Sequence, residues 1–427
     1  MTFDTIIIGG GLSGLICGIR LQRAGKKCAV VSAGQNAMHF FSGGFGLLSR
    51  MPDGTEVRCP LDAVDSLPEE HPYRKIGKDR ISAFAPQAKE LFRSCGINVS
   101  GSAERNSFIV SAMGGTKPVW LAAADMAILE EKDEKVGDNV LIVNIEGFLD
   151  FNAAFVAEGL ERNGSGCRIA TVTTDEIRRL RKNPTEMRSS NIAKIMSCPE
   201  ALNSLIRKIR EQVKDEDCIV LPAVFGLTGP EEMEQVRAEL GRKTVFVGTL
   251  PPSVPGIRSQ MLLKKAYEAA GGVFLKGDRV VGAEIQEGKV LSVSTANLED
   301  EKLYAENFVL AAGSFFGHGL MSDSDKVYEP VFGLDVIADE DRNLWYDKDF
   351  FSRQNFIGYG VRTDGNFRVC KDGKTMENLY AAGSVLGGCN PLYEGCGAGV
   401  AIMTALYVSD IISGGDADGA NSKSNDQ

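Results

Sequence analysis

The chain is poor in the groupings that hold metals and clusters. Its ten cysteines are scattered, no two stand at CxxC spacing, and the closest pair, Cys389 and Cys396, is seven residues apart. Iron–sulfur and structural zinc sites draw thiolates from tight local clusters, so neither is expected. Scattered thiols fit a reducing cytoplasm, where they pack as small hydrophobes. Basic charge is also short: 47 Lys+Arg face 57 Asp+Glu, a formal net charge of −10, which argues against a grip on nucleic acid or on an anionic membrane face. No run approaches the ~20 apolar residues of a membrane-spanning helix, so no direct membrane insertion is expected. The opening MTFDTIIIGGG has no basic n-region, and its apolar run is too short for a signal peptide. Histidine is scarce, with only His39, His71 and His318.

Glycine, by contrast, is plentiful, with 48 in 427 residues, a length that suggests two or three lobes. Residues 3–8, FDTIII, read as a buried strand. GGGLSG follows, with Gly9, Gly11 and Gly14 at the GxGxxG positions, and an apolar helical pattern runs from Leu15 to about Ala24. Gly25 ends that helix, and KCAVVS (27–32) is a second strand. Strand, glycine turn, helix and strand in this order form a dinucleotide-fold signal. The first two glycines let the backbone turn and approach a phosphate, the third lets helix and strand pack closely, and the helix N-terminus offers unpaired N–H groups. An acidic residue that would hold an adenosine ribose is missing: the second strand ends in Ser32, followed by Ala33-Gly34-Gln35.

The second half returns to the same fold. Residues 258–271 read as an amphipathic helix, short strands and turns follow, and FVLAAGSFF (308–316) is a buried strand ending in a small-residue turn at Gly313. In 377–412 a strand ends at Gly383, a glycine-rich loop follows, and a long apolar helix begins near Gly395–Gly397. This pattern is similar to flavin-dependent oxidoreductases, where the last helix points its positive N-terminus at the flavin pyrimidine ring. The turn that usually continues with Asp to hold the ribityl chain carries Ser384 instead. The fold expected is α/β: a Rossmann-like flavin-binding domain of the glutathione-reductase and fumarate-reductase kind, with an inserted α/β region.

The segments TFDTIIIGGGLSGLICGIRLQRAGKKCAVVSAGQNAMHFFSGGFGLLS, NPTEMRSSNIAK, VGTLPPSVPGIR, LAAGSFFGHGL, EPVFGLDV and LYAAGSVLGGCNPLYEGCGAGVA resemble the B-subunit family of the anaerobic glycerol-3-phosphate dehydrogenase, from the first strand to the last helix. The resemblance implies a three-subunit assembly that oxidises sn-glycerol 3-phosphate to dihydroxyacetone phosphate. Electrons would pass to the quinone pool and on to fumarate or nitrate. It also implies FMN for this chain, an FAD-containing partner subunit, and an iron–sulfur partner subunit that anchors the complex on the cytoplasmic face of the inner membrane. The missing adenosine-ribose acid is easier to reconcile with FMN than with the alternative, FAD.

The expected organisation is a discontinuous flavin domain, 1–60 with 256–413, an inserted substrate or partner region, 61–255, and a disordered polar tail, 414–427. Within the insert, helical patterns lie at 80–95, 200–213 and 230–240, and strands near 140–146, 218–224 and 244–249. Oxidation of a secondary alcohol needs a base for the hydroxyl proton. His39, in the HFFSGG loop after the second strand, is the first candidate, and His318, after the FVLAAGSFF strand, the second; His71, in EEHPY, reads as a turn residue. A phosphorylated substrate needs a cationic clamp, for which Arg258, after the Pro-rich connector TLPPSVPG, and Arg188 are the candidates. Besides direct catalysis, the chain could relay electrons from a partner's flavin without handling substrate. A dicarboxylate flavoprotein would need an Arg/His carboxylate clamp that the sequence does not offer, and a cofactor-free structural subunit would purify colourless.

Overall fold

The computed structural model describes residues 1–414; the expected disordered tail lies, from residue 415, outside the described residues. Two compact units form. Unit 1 comprises Met1–Ala37, Gly46–Leu91 and the chain from Leu263 onward; unit 2 comprises Met38–Phe45 and Phe92–Leu262.

Unit 1 is built on an eight-stranded sheet. The strand β1 (Thr2–Ile8) leads through helix α1 (Leu12–Arg23) to β2 (Cys28–Ser32). Later segments add β3 (Val273–Lys276), β4 (Val280–Gln286), β5 (Lys289–Thr295), β6 (Leu303–Leu310), β7 (Arg368–Lys371) and β8 (Lys374–Ala381), and the described chain closes on helix α2 (Gly397–Ile412). The order is β3-β2-β1-β6-β5-β4, with β8 also pairing β6 and β7 pairing β8. The strands β3, β2, β1, β6 and β8 run parallel, which explains why β1 and β2 read as continuous apolar runs: interior parallel strands are covered on both faces. Ile6 and Ile7 have no exposed surface, and burial of such side chains contributes about 1.5–3 kcal/mol each. Helix α1 stops because Gly25 adopts φ +80°, and Arg20 and Arg23 in its last turn complement the negative helix end.

Unit 2 holds a four-stranded parallel sheet in the order Gly166–Val172, Asn139–Ile145, Cys218–Pro222, Lys243–Val247. The helix Pro199–Arg210 buries Leu202, Leu205, Ile206 and Ile209, the i, i+3, i+4 spacing of one apolar face. Two small three-stranded antiparallel sheets complete the unit, one made of Gly44–Phe45, Leu121–Ala123 and Val99–Gly101, the other of Thr116–Val119, Ser107–Val110 and Ile128–Leu129.

The unit boundaries differ from the expected 60/61 and 255/256. Residues 61–91 pack with unit 1: Phe84 meets the Tyr407 ring edge-on, Arg80 lies over the same ring, and Arg20 donates to Gln87. Residues 38–45 join unit 2 because Gly44 and Phe45 pair with Ala122 and Leu121. Among the described residues, no helix is long and apolar enough to cross a membrane.

Candidate functional site

The register of the parallel strands brings their C-terminal ends to one edge of the unit 1 sheet. Ile8 stands beside Leu310, and Leu310 beside Ala381. The ladder continues one step further: Gly9 N–H donates to Val31 O, Ala311 N–H to Ile8 O, and Ala382 N–H to Leu310 O. The turns containing Gly9–Gly14, Gly313 and Gly383–Ser384 therefore leave the sheet side by side. In parallel α/β sheets this edge is where ligands bind.

Beyond Gly9 the backbone N–H groups, unlike the carbonyl of Gly11, which accepts from Leu15 N–H, lose their partners. Among the described residues, the amides of Gly10, Gly11, Leu12, Ser13 and Gly14 meet no acceptor of the chain, although Gly10, Ser13 and Gly14 are buried. Buried N–H groups left without an acceptor are costly, and a run of them at a helix N-terminus is a binding surface for an anion such as a phosphate. Helix α1 has no side-chain cap to take their place.

The three glycines divide the work in the way the sequence pattern implies. Gly9, at φ +121°, turns so tightly that a Cβ would lie 2.1 Å from Ala311 O. A Cβ on Gly14 would lie 1.9 Å from Gly9 O and 3.3 Å from the Ile7 side chain, which is the close helix–strand packing expected of it. Gly11 is different: a Cβ there would meet only Asn36 Cβ, at 3.8 Å, so the space in front of it is open. An arrangement with tight packing behind and open space with unpaired amides in front fits a flavin phosphate.

Ser32, expected among the cofactor contacts, is buried beneath the turn. A Cβ on Gly10 would come within 2.5 Å of its Oγ, and its carbonyl accepts from the amides of Gly277 and Asp278. Ala33, Gly34 and Gln35 after it are exposed and bring no carboxylate. Gly383, at φ +80°, faces α1 so closely that a Cβ would lie 2.0 Å from Ser13 Oγ and 3.8 Å from Ala401 Cα of α2. A Cβ on Gly313 would sit 3.7 Å from Ser384 Oγ. These contacts draw Gly9, Gly14, Gly313, Gly383 and Ser384 together within unit 1.

The approach to α2 is fixed from several sides. Gly395 takes φ +63°, its carbonyl packs against Gly46, and Gly399 N–H donates to Gly46 O at 2.8 Å. Helix α2 begins at Gly397 without a side-chain cap, and the amides of Gly397 and Ala398 meet no acceptor among the described residues. Thr404 ties the helix to the sheet: it accepts from Gly383 N–H at 2.9 Å and donates to Val400 O at 2.6 Å.

Just ahead of α2 lies a buried network that sequence reasoning does not reach. His71 has no exposed surface; its Nδ1 accepts the Tyr73 amide at 3.0 Å, so the proton sits on Nε2 and points at Glu394 Oε2, 3.2 Å away. Glu394 also accepts from Asn390 N–H at 3.0 Å and from the Cys396 thiol at 3.8 Å. Burial holds the Tyr73 hydroxyl well above its usual pKa, and it donates to Leu47 O at 2.7 Å. His71, Cys389 and Cys396 bring potential metal-ligand atoms within 4.8 Å of one another. A metal-ligating imidazole donates its other ring N–H, whereas Nδ1 here accepts one, so the geometry is that of a hydrogen-bonded clasp on the loop before α2. No spacing in the sequence announces it, since 323 residues separate His71 from Glu394.

The remaining expected site residues fall as follows. His318 is exposed in unit 1, in the left-handed conformation at φ +59°. His39 is half-buried in unit 2, where its carbonyl accepts from Ser253 N–H at 2.9 Å. Arg188 donates to Pro251 O and pairs with the buried Asp150, its Nε 2.8 Å from Oδ1. Arg258 departs from the expected phosphate clamp: it is buried, pairs with Asp125 at 3.2 Å, and donates to the carbonyls of Phe225 and Gly226. Its donors are directed into the unit 2 core because the connector delivers it inside the first turns of the helix Val254–Ala269.

The sequence matches the family described as FAD binding domain over residues 4–400, which makes the chain a flavin-binding oxidoreductase by family. It is 40 % identical over 415 residues to the B-subunit of the anaerobic glycerol-3-phosphate dehydrogenase of Pectobacterium atrosepticum, covering 96 % of this chain and 99 % of that one. To the protein of the same name from Yersinia enterocolitica it is 39 % identical over 416 residues, 96 % of this chain and 98 % of the other. Among solved structures, 3-ketosteroid delta1-dehydrogenase from Sterolibacterium denitrificans aligns with a TM-score of 0.45 and 11 % identity over 97 % of this chain and 100 % of that one, too loosely to bear on function. Near-complete coverage at this identity, together with the matched flavin-binding family, places the chain in the B-subunit family of the anaerobic glycerol-3-phosphate dehydrogenase.

Proposed function

We propose that the chain is the flavin subunit of a multisubunit complex that oxidises sn-glycerol 3-phosphate to dihydroxyacetone phosphate and delivers the electrons towards the quinone pool. The observation that carries this reading is the run of five unpaired amides, Gly10 to Gly14, at the edge where the strand ends meet. When bound, the flavin would supply the two-electron acceptor that the chain's own side chains lack. The amides around Gly11 would hold its phosphate, with Gly313, Gly383 and Ser384 lining the same edge. The amides of Gly397 and Ala398 at the α2 N-terminus would steady negative charge at its pyrimidine end. The half-buried His39 would take the proton of the substrate's secondary hydroxyl, with His318 the second candidate.

FMN is the proposed form of the cofactor. Ser32 sits beneath the glycine turn, and the exposed residues after β2 carry no carboxylate for an adenosine ribose. The proposed partners are an FAD-containing subunit and an iron–sulfur subunit that holds the complex at the cytoplasmic face of the inner membrane.

One observation favours a second reading, in which the chain relays electrons from a partner's flavin without touching substrate. Both arginines expected to clamp the phosphate are engaged, Arg258 by Asp125 and Arg188 by Asp150. Mixing the purified, flavin-loaded chain with glycerol 3-phosphate under anaerobic conditions separates the two. Direct oxidation bleaches the flavin band in the chain alone; relay leaves it unchanged until the FAD-containing partner is added.

A further inference from the structure

We infer that the aromatic loop 344–356 of unit 1, together with Leu392, is the docking surface for the partner subunit that exchanges electrons with the flavin, a protein offering an apolar pocket with a basic rim. The inference rests on the reading of this chain as the flavin subunit of a multisubunit complex, and adds to it the face on which assembly takes place.

The loop reads LWYDKDFFSRQNF. Trp345 turns inward: it is buried against Val327 and Tyr359, and its Nε1 donates to Asp339 O at 2.8 Å. Its neighbours Leu344 and Tyr346 turn outward, and Phe350 and Phe351 are 84 % and 90 % exposed. Among the described residues, no other large apolar side chain is as exposed as Phe351. The two rings meet edge-on, with centroids 5.4 Å apart. A single exposed apolar side chain needs no explanation, whereas a group of them on one loop marks an interaction site.

The rings do not face solvent for want of order. Gln354 closes the loop, its Oε1 accepting from Asp347 N–H and its Nε2 donating to Asp349 O, each at 2.9 Å. Asp349 Oδ1 accepts from Phe351 N–H at 3.0 Å, and Phe356 N–H donates to Trp345 O at 2.8 Å. A loop fixed this way offers its aromatic anchors preformed, which lowers the ordering cost of association.

The loop's position within unit 1 indicates which partner sits there. Asn390 Nδ2 donates to Gln354 O at 2.9 Å while its backbone N–H donates to Glu394, so the aromatic loop is joined to the segment that leads into α2. Leu392, 72 % exposed, lies on that segment. A protein seated on the rings and on Leu392 also covers the approach to Gly397, where the proposed pyrimidine end of the flavin meets α2.

Charge narrows the choice further. Residues 339–353 carry five carboxylates against three basic side chains, and two of the three, Arg342 and Arg353, donate to the carbonyls of Ser324 and Pro52. An acidic rim repels an anionic lipid face, and a second copy of this chain would set like charges against each other. A partner with basic groups around an apolar pocket meets both the rings and the rim.

The test compares the flavin-loaded wild-type chain with Phe350→Ser/Phe351→Ser and with Leu392→Ser, each mixed with the purified partner subunits. In the double variant the Kd for the electron-exchanging partner should rise at least about 30-fold, the scale of one lost aromatic anchor, and Leu392→Ser should weaken binding less. Electron exchange followed at the flavin band should slow at limiting partner and recover at saturating partner. Flavin content and Tm should match wild type, since the replaced side chains lie on the surface. Association should slow as salt rises, and association that quickens with salt overturns the basic rim assigned to the partner. Wild-type partner affinity in the folded, flavin-loaded double variant overturns the docking surface alone, and it does so equally if the variant has instead lost self-association or binding to anionic phospholipid vesicles. A wild-type chain that purifies folded but colourless overturns the flavin reading and this inference together.

Discussion

Gly11 and Gly14 lie one helical turn apart and answer to different constraints, which makes them separable by substitution. Alanine at Gly14 would push its Cβ into Gly9 O and Ile7, so Gly14→Ala should fold poorly, with a Tm well below wild type even without flavin. Alanine at Gly11 meets only Asn36 Cβ and an ordinary φ of −83°, so Gly11→Ala should keep the apoprotein Tm while flavin affinity falls at least about tenfold. A Gly11→Ala chain that retains full flavin content would show that the cofactor phosphate lies elsewhere. The same scale explains what is legible in advance. Glycine roles at a tight turn are dictated by local backbone geometry, so GGGLSG carries them in one short segment. The role of His71 depends on Glu394, 323 residues away, and read alone it is a turn residue. Arg258 is a similar case, since Asp125 decides whether its guanidinium faces solvent or core. His71→Ala should remove both the cap on Tyr73 N–H and a donor to the buried Glu394 carboxylate. A loss of about 2–4 kcal/mol follows, visible as a lowered Tm.

At the scale of elements, a hydroxyl bridge from Gly383 to Val400 ties α2 to the sheet. Thr404→Val leaves the Gly383 amide without an acceptor in a buried position, at a cost of about 1–3 kcal/mol. The expected result is a lower Tm together with weaker flavin binding, both recovered in Thr404→Ser; unchanged flavin affinity in the valine variant would uncouple the bridge from the site. Longer elements are legible because their periodicity is a property of their own residues: β1, α1, β2 and α2 lie close to where the pattern puts them, as do the helices Pro199–Arg210 and Glu231–Leu240. Strands of two to four residues such as Gly44–Phe45, Val99–Gly101 and Thr116–Val119 are too short to carry a period, and so the small sheets of unit 2, one of which fixes the His39 loop, are invisible in the sequence. Residues 61–91 fall to the insert on sequence for a related reason. Helical patterning shows that a helix needs an apolar partner, but not that Phe84 and Arg80 would find it in Tyr407 of α2.

For the molecule as a whole, a net charge of −10 offers no general attraction to an anionic ligand, so a phosphate has to be held locally, by groups such as the unpaired amides of Gly10–Gly14. Every part of the account depends on a flavin held at the sheet edge of unit 1, and denaturing the purified chain to release, identify and count its chromophore tests that most directly. The account predicts one FMN per chain; FAD would contradict the FMN assignment, and a folded but colourless chain would contradict the central claim.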